Sequence, residues 1–110
     1  MALFSRGSVV VVDFFFSDGS GSKLRPALVV AELTGDDLIL CSITTSRSDE
    51  YSVELRSNQL VGGALRYDSF VRPNLLTTVD SRLVLRKIGD LYPHKMTEVI
   101  EKIIHIVTRS

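Results

Sequence analysis

The run Ser8-Val9-Val10-Val11-Val12-Asp13-Phe14-Phe15-Phe16 constrains the fold more than any other part of this chain. It is β-branched and aromatic almost throughout, and both of its alternating faces are largely apolar. A strand with two apolar faces must be covered on both sides, so it belongs at the centre of a sheet rather than at its edge. The chain has 110 residues, read as one domain over 1–110. A domain of that size buries roughly 60–70% of the surface its unfolded chain exposes and needs no covalent staples.

The segments that follow have the punctuation of an antiparallel sheet. Ser17-Asp18-Gly19-Ser20-Gly21-Ser22 reads as a long, flexible hairpin loop, Arg25–Leu33 as a second strand, Thr34-Gly35-Asp36-Asp37 as a turn and Leu38–Thr45 as a third strand. Tyr51–Leu55 alternates weakly, as an edge strand does, and Gly62-Gly63 breaks the chain again. Ser69–Arg72 and Leu75–Val79 read as two short strands flanking Pro73, and Val84–Ile88 as one more. At the end of the chain the period changes. Met96, Val99, Ile100, Ile103, Ile104 and Val107 follow helical spacing, with Pro93 suited to the first turn and Glu98 near the positive N-terminal end. The expected fold is mainly β, a small, strongly bent antiparallel sheet or barrel with one C-terminal helix.

Composition narrows the function classes. Thirteen basic and thirteen acidic residues balance, which argues against non-specific coating of duplex DNA but not against a short single-stranded site. Cys41 is the one cysteine, so no internal disulfide forms and a reducing, cytoplasmic setting is expected. The apolar run Val9–Val12 is far below a membrane span, so no membrane role is expected. His94 and His105 lie three helical turns apart, which is not a metal-ligand spacing, and they read as surface residues; no metal or cofactor is expected. Asp36-Asp37 and Asp49-Glu50 read as solvated turn residues.

The functional signal is Lys23-Leu24-Arg25-Pro26-Ala27-Leu28-Val29-Val30, a strand whose entry carries two cations beside a polar loop. A four-residue turn at 34–37 pairs Leu33 with Leu38, Ala31 with Leu40, Val29 with Ser42 and Ala27 with Thr44. Arginine does not sit unpaired in a core, so the face bearing Arg25 and the face bearing Ser42 and Thr44 are expected to point away from it. In that register Arg25 is a diagonal neighbour of Thr44, with Cβ atoms roughly 7 Å apart. An arginine and a hydroxyl then converge over a platform of Ala27 and Ala31.

With those residues in place, the chain resembles the MazF/PemK (Kid) family of toxin endoribonucleases. Arg6-Gly7 before a Val-rich strand, the Gly-rich loop and Lys23–Val30 carry the likeness. Ser42-Ile43-Thr44-Thr45, Ser69-Phe70-Val71-Arg72, Leu76-Thr77-Thr78-Val79-Asp80 and Ile88-Gly89-Asp90-Leu91 continue it in order. The resemblance implies an SH3-like barrel with a C-terminal helix that forms a homodimer. It also implies metal-independent cleavage of single-stranded RNA to 2′,3′-cyclic phosphate and 5′-hydroxyl ends, and a cognate antitoxin that blocks the RNA groove with an extended acidic segment.

Carried onto this sequence, the resemblance makes Arg25 and Thr44 the catalytic pair. Lys23, Arg47 and Arg72 are candidates for flanking phosphates, Asp18, Ser20 and Ser22 for base contacts from the loop, and Phe16 for stacking. The sequence departs from the Kid-type branch at Arg72-Pro73-Asn74, where that branch has Arg-x-Asp. Asn74 is placed among the RNA-binding residues, and it cannot take a proton. The rival readings are a CcdB-like toxin that binds gyrase and a catalytically inactive member that only binds RNA or antitoxin. The chain's end, Ile106-Val107-Thr108-Arg109-Ser110, does not resemble an aromatic-capped gyrase-binding tail.

Overall fold

The computed structural model describes residues 4–15, 18–46 and 49–109. Among these residues seven strands form one sheet: β1 (Ser8–Phe15), β2 (Ser22–Glu32), β3 (Asp37–Thr44), β4 (Val53–Leu55), β5 (Leu60–Val61), β6 (Ser69–Asp80) and β7 (Val84–Leu91). A 3-10 turn, Ser81–Leu83, joins β6 to β7, and α1 (Pro93–Thr108) ends the described chain. The order across the sheet is β4-β6-β3-β2-β1-β7-β5, every pairing antiparallel. The expected fold class is borne out: β1 sits inside the curled sheet and β4 at its edge.

The double-sided apolar pattern of β1 produces two cores. Val9 joins Leu28, Val30, Cys41, Ile43, Val53, Leu55, Leu60, Leu65, Val71, Leu91 and Val99 in one cluster. Met96, Ile100 and Ile103 of α1 pack against that cluster, so the helix covers this side. Ile104 and Val107, expected in the same stripe, are instead exposed. Cys41 lies in this core, and its burial pushes the thiol up to about 12, which leaves it inert as a nucleophile at neutral pH. Val10 and Val12 face the other way, into a second cluster with Ala27, Val29, Leu38 and Leu40, against which Phe4, Phe14, Val79 and Val84 pack.

Three expectations need correction. The face of β2 that bears Arg25 does not point away from the core: its inner part, Ala27 and Val29, is fully buried in the second cluster. The sheet curls, so that face is apolar along most of its length and turns polar only at one end. The register differs too. Ala27 pairs with Ser42 and Val29 with Leu40, then a bulge before Ala31 shifts the ladder so that Ala31 pairs with Ile39 and Glu32 with Leu38. Leu33 N–H donates to Asp37 C=O at 2.9 Å and closes the hairpin, while Gly35 takes a positive φ of 80° in the turn. Near Arg25 the shift is by two residues, so the same side chains still share a face although their partners change.

The third correction concerns β6, which is one strand rather than two segments flanking Pro73. It runs through the proline with a register break: Cys41 pairs with Leu76 and Ser42 with Arg72, leaving Pro73, Asn74 and Leu75 without partners on β3. Proline has no N–H for a ladder, so a bulge is where a sheet accommodates it. The described residues contain no helix long and apolar enough to cross a membrane.

Candidate active site

At its polar end the second sheet face is built in rows. Ala27, Ser42 and Arg72 align across β2, β3 and β6, and Thr44 aligns with Phe70 one row further on. Paired residues of antiparallel strands point to the same side, so Ser42, Thr44 and Arg72 share a face with Ala27. Arg25, two residues before Ala27, belongs to that face as well. Continuing the register two residues past the Ala27–Ser42 pair sets Arg25 opposite Thr44 rather than diagonal to it. The observed β2–β3 ladder itself ends at the Ala27–Ser42 pair.

Arg25 is exposed and, among the described residues, makes no ion pair. Its backbone is nonetheless fixed, since β2 pairs there with Val12 of the central strand. Thr44 is half-buried, and its Oγ1 accepts a hydrogen bond from Ser46 N–H at 3.3 Å. That contact orients the hydroxyl oxygen and leaves its own O–H free to donate. An exposed guanidinium on a fixed backbone, on the same face as a hydroxyl, is an arrangement suited to an anionic group.

Arg72 is held differently. Its Nη2 donates to Asp49 Oδ2 at 3.1 Å, and Asn74 Nδ2 donates to the same oxygen at 2.9 Å. Asp49 Oδ1 accepts from Tyr51 N–H at 2.9 Å and Ser52 Oγ at 3.4 Å. Partial burial alone would raise the Asp49 carboxyl, but the Tyr51 amide, Arg72 and Asn74 outweigh it and hold it below the usual carboxylate range. Among the described residues Arg72 Nε is buried without a hydrogen-bond partner; leaving such a donor unmet costs about 1–3 kcal/mol. The β6 bulge carries Asn74 out of the ladder at the point where it meets Asp49. Sequence reasoning treated Asp49 as a solvated turn residue, and only the contact across 23 and 25 positions of chain reveals it.

The remaining described candidates lie on the loop before β2 and at the start of that strand. Asp18 Oδ1 accepts from Ser20 N–H at 2.9 Å, and hydrogen bonds from the Ser20 side chain and amide lower the Asp18 carboxyl. Ser22 and Lys23 open β2 and are exposed. Arg47 and Phe16 lie outside the described residues. His94 and His105 are both exposed on α1, as expected.

Sequence reasoning also missed a cleft of about 720 Å³ beside Arg25. It is lined by Lys23, Arg25, Arg66 and Arg86, with Tyr67 and an apolar floor that includes Leu24, Pro26 and Leu65, and Thr45 rather than Thr44 borders it. Its lining contains no carboxylate. The segment carrying Arg66 and Tyr67 is held down by Gly63, where a Cβ would fall 1.8 Å from Ile88 C=O. A larger cleft of about 800 Å³ lies around the β2–β3 turn, but Glu32, Asp36 and Asp37 line it against Arg82. Its negative balance suits a polyanion poorly, so the Arg25 end is the better candidate.

Residues 5–107 match the family described as PemK-like, MazF-like toxin of type II toxin–antitoxin system. No curated protein sequence matches the chain significantly. Among solved structures it is similar to a MazE–MazF complex from Deinococcus radiodurans (19% identity, 100% of each chain covered, TM-score 0.78). It is also similar to an endoribonuclease in complex with its cognate antitoxin from a mycobacterial species (18% identity, 97% of each chain, TM-score 0.72). A Mycobacterium tuberculosis MazF toxin is a third match (19% identity, 86% of this chain and 91% of that one, TM-score 0.64).

Proposed function

The chain belongs to the PemK-like, MazF-like toxins of type II toxin–antitoxin systems, and from that premise we propose that it is an endoribonuclease acting on single-stranded RNA at the Arg25–Thr44 end of the sheet. The observation that carries this reading is Arg25: exposed on a fixed strand, free of carboxylate partners among the described residues, and on one face with Thr44. The chemistry requires a concentrated positive charge and a donor hydroxyl at one phosphodiester.

The ribose 2′-oxygen attacks the adjacent phosphorus, and the bond from phosphorus to the 5′-oxygen breaks. The 2′-hydroxyl gives up its proton to a base, and the departing 5′-oxygen takes one up. The products are a 2′,3′-cyclic phosphate and a 5′-hydroxyl. Charge builds on the non-bridging oxygens in between. The Arg25 guanidinium and the Thr44 hydroxyl stabilise it, each well-placed donor being worth about 3–4 kcal/mol. A guanidinium stays protonated at working pH, so Arg25 acts chiefly through charge. The nucleophile is supplied by the RNA itself, and the resemblance to MazF/PemK toxins implies that cleavage is metal-independent.

Lys23, Arg66 and Arg86 extend the positive surface for flanking phosphates, and Tyr67, 62% exposed, offers a stacking surface for a base. The same charge suits an acidic antitoxin segment, so RNA and a cognate antitoxin compete for this surface. The protein acts as a homodimer that completes its groove across a two-fold axis. A long mixed-sequence RNA incubated with the protein in EDTA tests the reading. Discrete breaks with cyclic phosphate and 5′-hydroxyl ends are expected; intact RNA with inhibited gyrase supercoiling would replace this reading with the gyrase-binding one.

A further inference from the structure

Asp49 and the Arg72 it pairs with are charged residues of the site that the proposed chemistry leaves without a task. Asp49 stands at the meeting point of two segments that the chain keeps far apart. From the β3–β4 connection it reaches β6, where its Oδ2 accepts from both Arg72 and Asn74. Its Oδ1 accepts from the Tyr51 amide and the Ser52 hydroxyl. A carboxylate offers about four lone-pair positions, and these four donors fill them. No acceptor site is left for a ribose hydroxyl, which argues against Asp49 as the base. Its side chain is also only 24% exposed, beside an Arg72 side chain at 23%.

We infer that Asp49 is a positioning residue: with Asn74 as the second donor to the same oxygen, it fixes Arg72 so that the guanidinium presents its Nη1 donors to the RNA backbone beside Thr44. Arg72 shares its row with Ser42, next to the row of Thr44. Its Nη2 is tied to Asp49 by one hydrogen bond at 3.1 Å, which restricts the directions open to the planar guanidinium. Asn74 has no ladder partner on β3, so the contact with Asp49 is what gives its amide a fixed direction. The Asp49 segment is itself braced, because the Tyr51 hydroxyl accepts from Arg109 at the end of α1, whose guanidinium also lies 5.6 Å from the Tyr51 ring centroid.

This inference rests on the ribonuclease reading for the identity of its ligand, a phosphodiester of single-stranded RNA. A carboxylate swap tests it. Asp49→Asn removes the charge and leaves one acceptor oxygen where two served, so either the Tyr51 amide or the Arg72 and Asn74 donors face an NH2 group, and the clamp on Arg72 is weakened. Misplacement of about 1 Å costs roughly a hundredfold in rate, so kcat is expected to fall about tenfold to a hundredfold with KM not raised. Asn74→Asp alone sets two carboxylates at hydrogen-bond distance, and it too is expected to lose rate. The double variant Asp49→Asn/Asn74→Asp restores one carboxylate facing one amide, with recovery to within about fivefold of the parent. Unfolding midpoints of all four proteins are measured alongside, and Asn74→Asp carries the test if Asp49→Asn does not fold. Parent-like kcat in both single variants, a faster Asp49→Asn enzyme, or a double variant no better than the worse single variant would overturn the role. A parent that cuts no RNA overturns the ribonuclease reading itself, and this role with it.

Discussion

The two ends of one sheet face differ in what they ask of their residues. At the inner end Val10, Ala27, Val29, Leu38 and Leu40 are packed nearly dry in the second apolar cluster. A few residues along the same strands, Arg25, Ser42, Thr44 and Arg72 take over, and the face meets solvent. The apolar end holds the strands in register by burial, which is non-directional and tolerates no charge. The polar end inherits that register without contributing much to it. A second contrast lies inside the polar end: Arg25 is without an ion-pair partner among the described residues, whereas Arg72 is clamped by Asp49. The unpaired arginine has its donors available for a ligand, and the clamped one has its direction set in advance.

If that division is right, substitutions at the two ends separate activity from stability. Arg25→Ala should give the largest change, a loss of at least about a hundredfold to a thousandfold in RNA cleavage, with the unfolding midpoint within a degree or two of the parent. Arg25→Lys should recover little, because a point charge does not reproduce the planar fork. Thr44→Val keeps the shape and removes the hydroxyl; a loss of about tenfold to a hundredfold is expected, read in single-turnover cleavage. Equal cleavage by Thr44→Val and the parent would confine the chemistry to Arg25.

At the inner end Leu40→Ala should cost about 2–5 kcal/mol in denaturant unfolding, since Leu40 is almost fully buried. Cleavage per folded molecule should stay near the parent's. A collapse of activity in the still-folded fraction would break the proposed division. The smallest effect is expected beyond the apolar cluster, at Asp80, which caps the 3-10 turn by accepting from Arg82 N–H at 2.9 Å. Side-chain hydrogen bonds from Arg82, then its amide, lower the Asp80 carboxyl to about 2. A carboxyl lowered on folding stabilises above its unfolded value and loses that contribution as pH falls through the folded one. The stability difference between the parent and Asp80→Ala should therefore be full at pH 5–7 and shrink towards pH 2.

Much of this was legible in the sequence because burial and alternation leave direct marks. Val9–Val12 announces a central strand, and Met96, Val99, Ile100 and Ile103 announce a helix packed on one side. Arg25 and Thr44 were placed on a common face by parity alone, and an even shift in register could not undo it. The second cluster was missed because Ala27 and Ala31 read as a shallow platform, while curling of the sheet buries whatever lies inside its bend. Asp49 was missed for a different reason. An Asp-Glu pair in a turn looks the same whether it faces water or an arginine 23 positions away. Arg66, Tyr67 and Arg86 likewise come together only once β7 and the segment after Gly63 are folded onto β2.

The most direct test of the central claim uses two copies of an oligonucleotide that contains a mapped break, in EDTA with the parent protein. One copy is all ribose; the other has a single 2′-deoxy nucleotide immediately 5′ of the break. The account predicts that the ribose copy is cut to a 2′,3′-cyclic phosphate and a 5′-hydroxyl while the deoxy copy stays intact. Cutting of both copies at the same bond would contradict it.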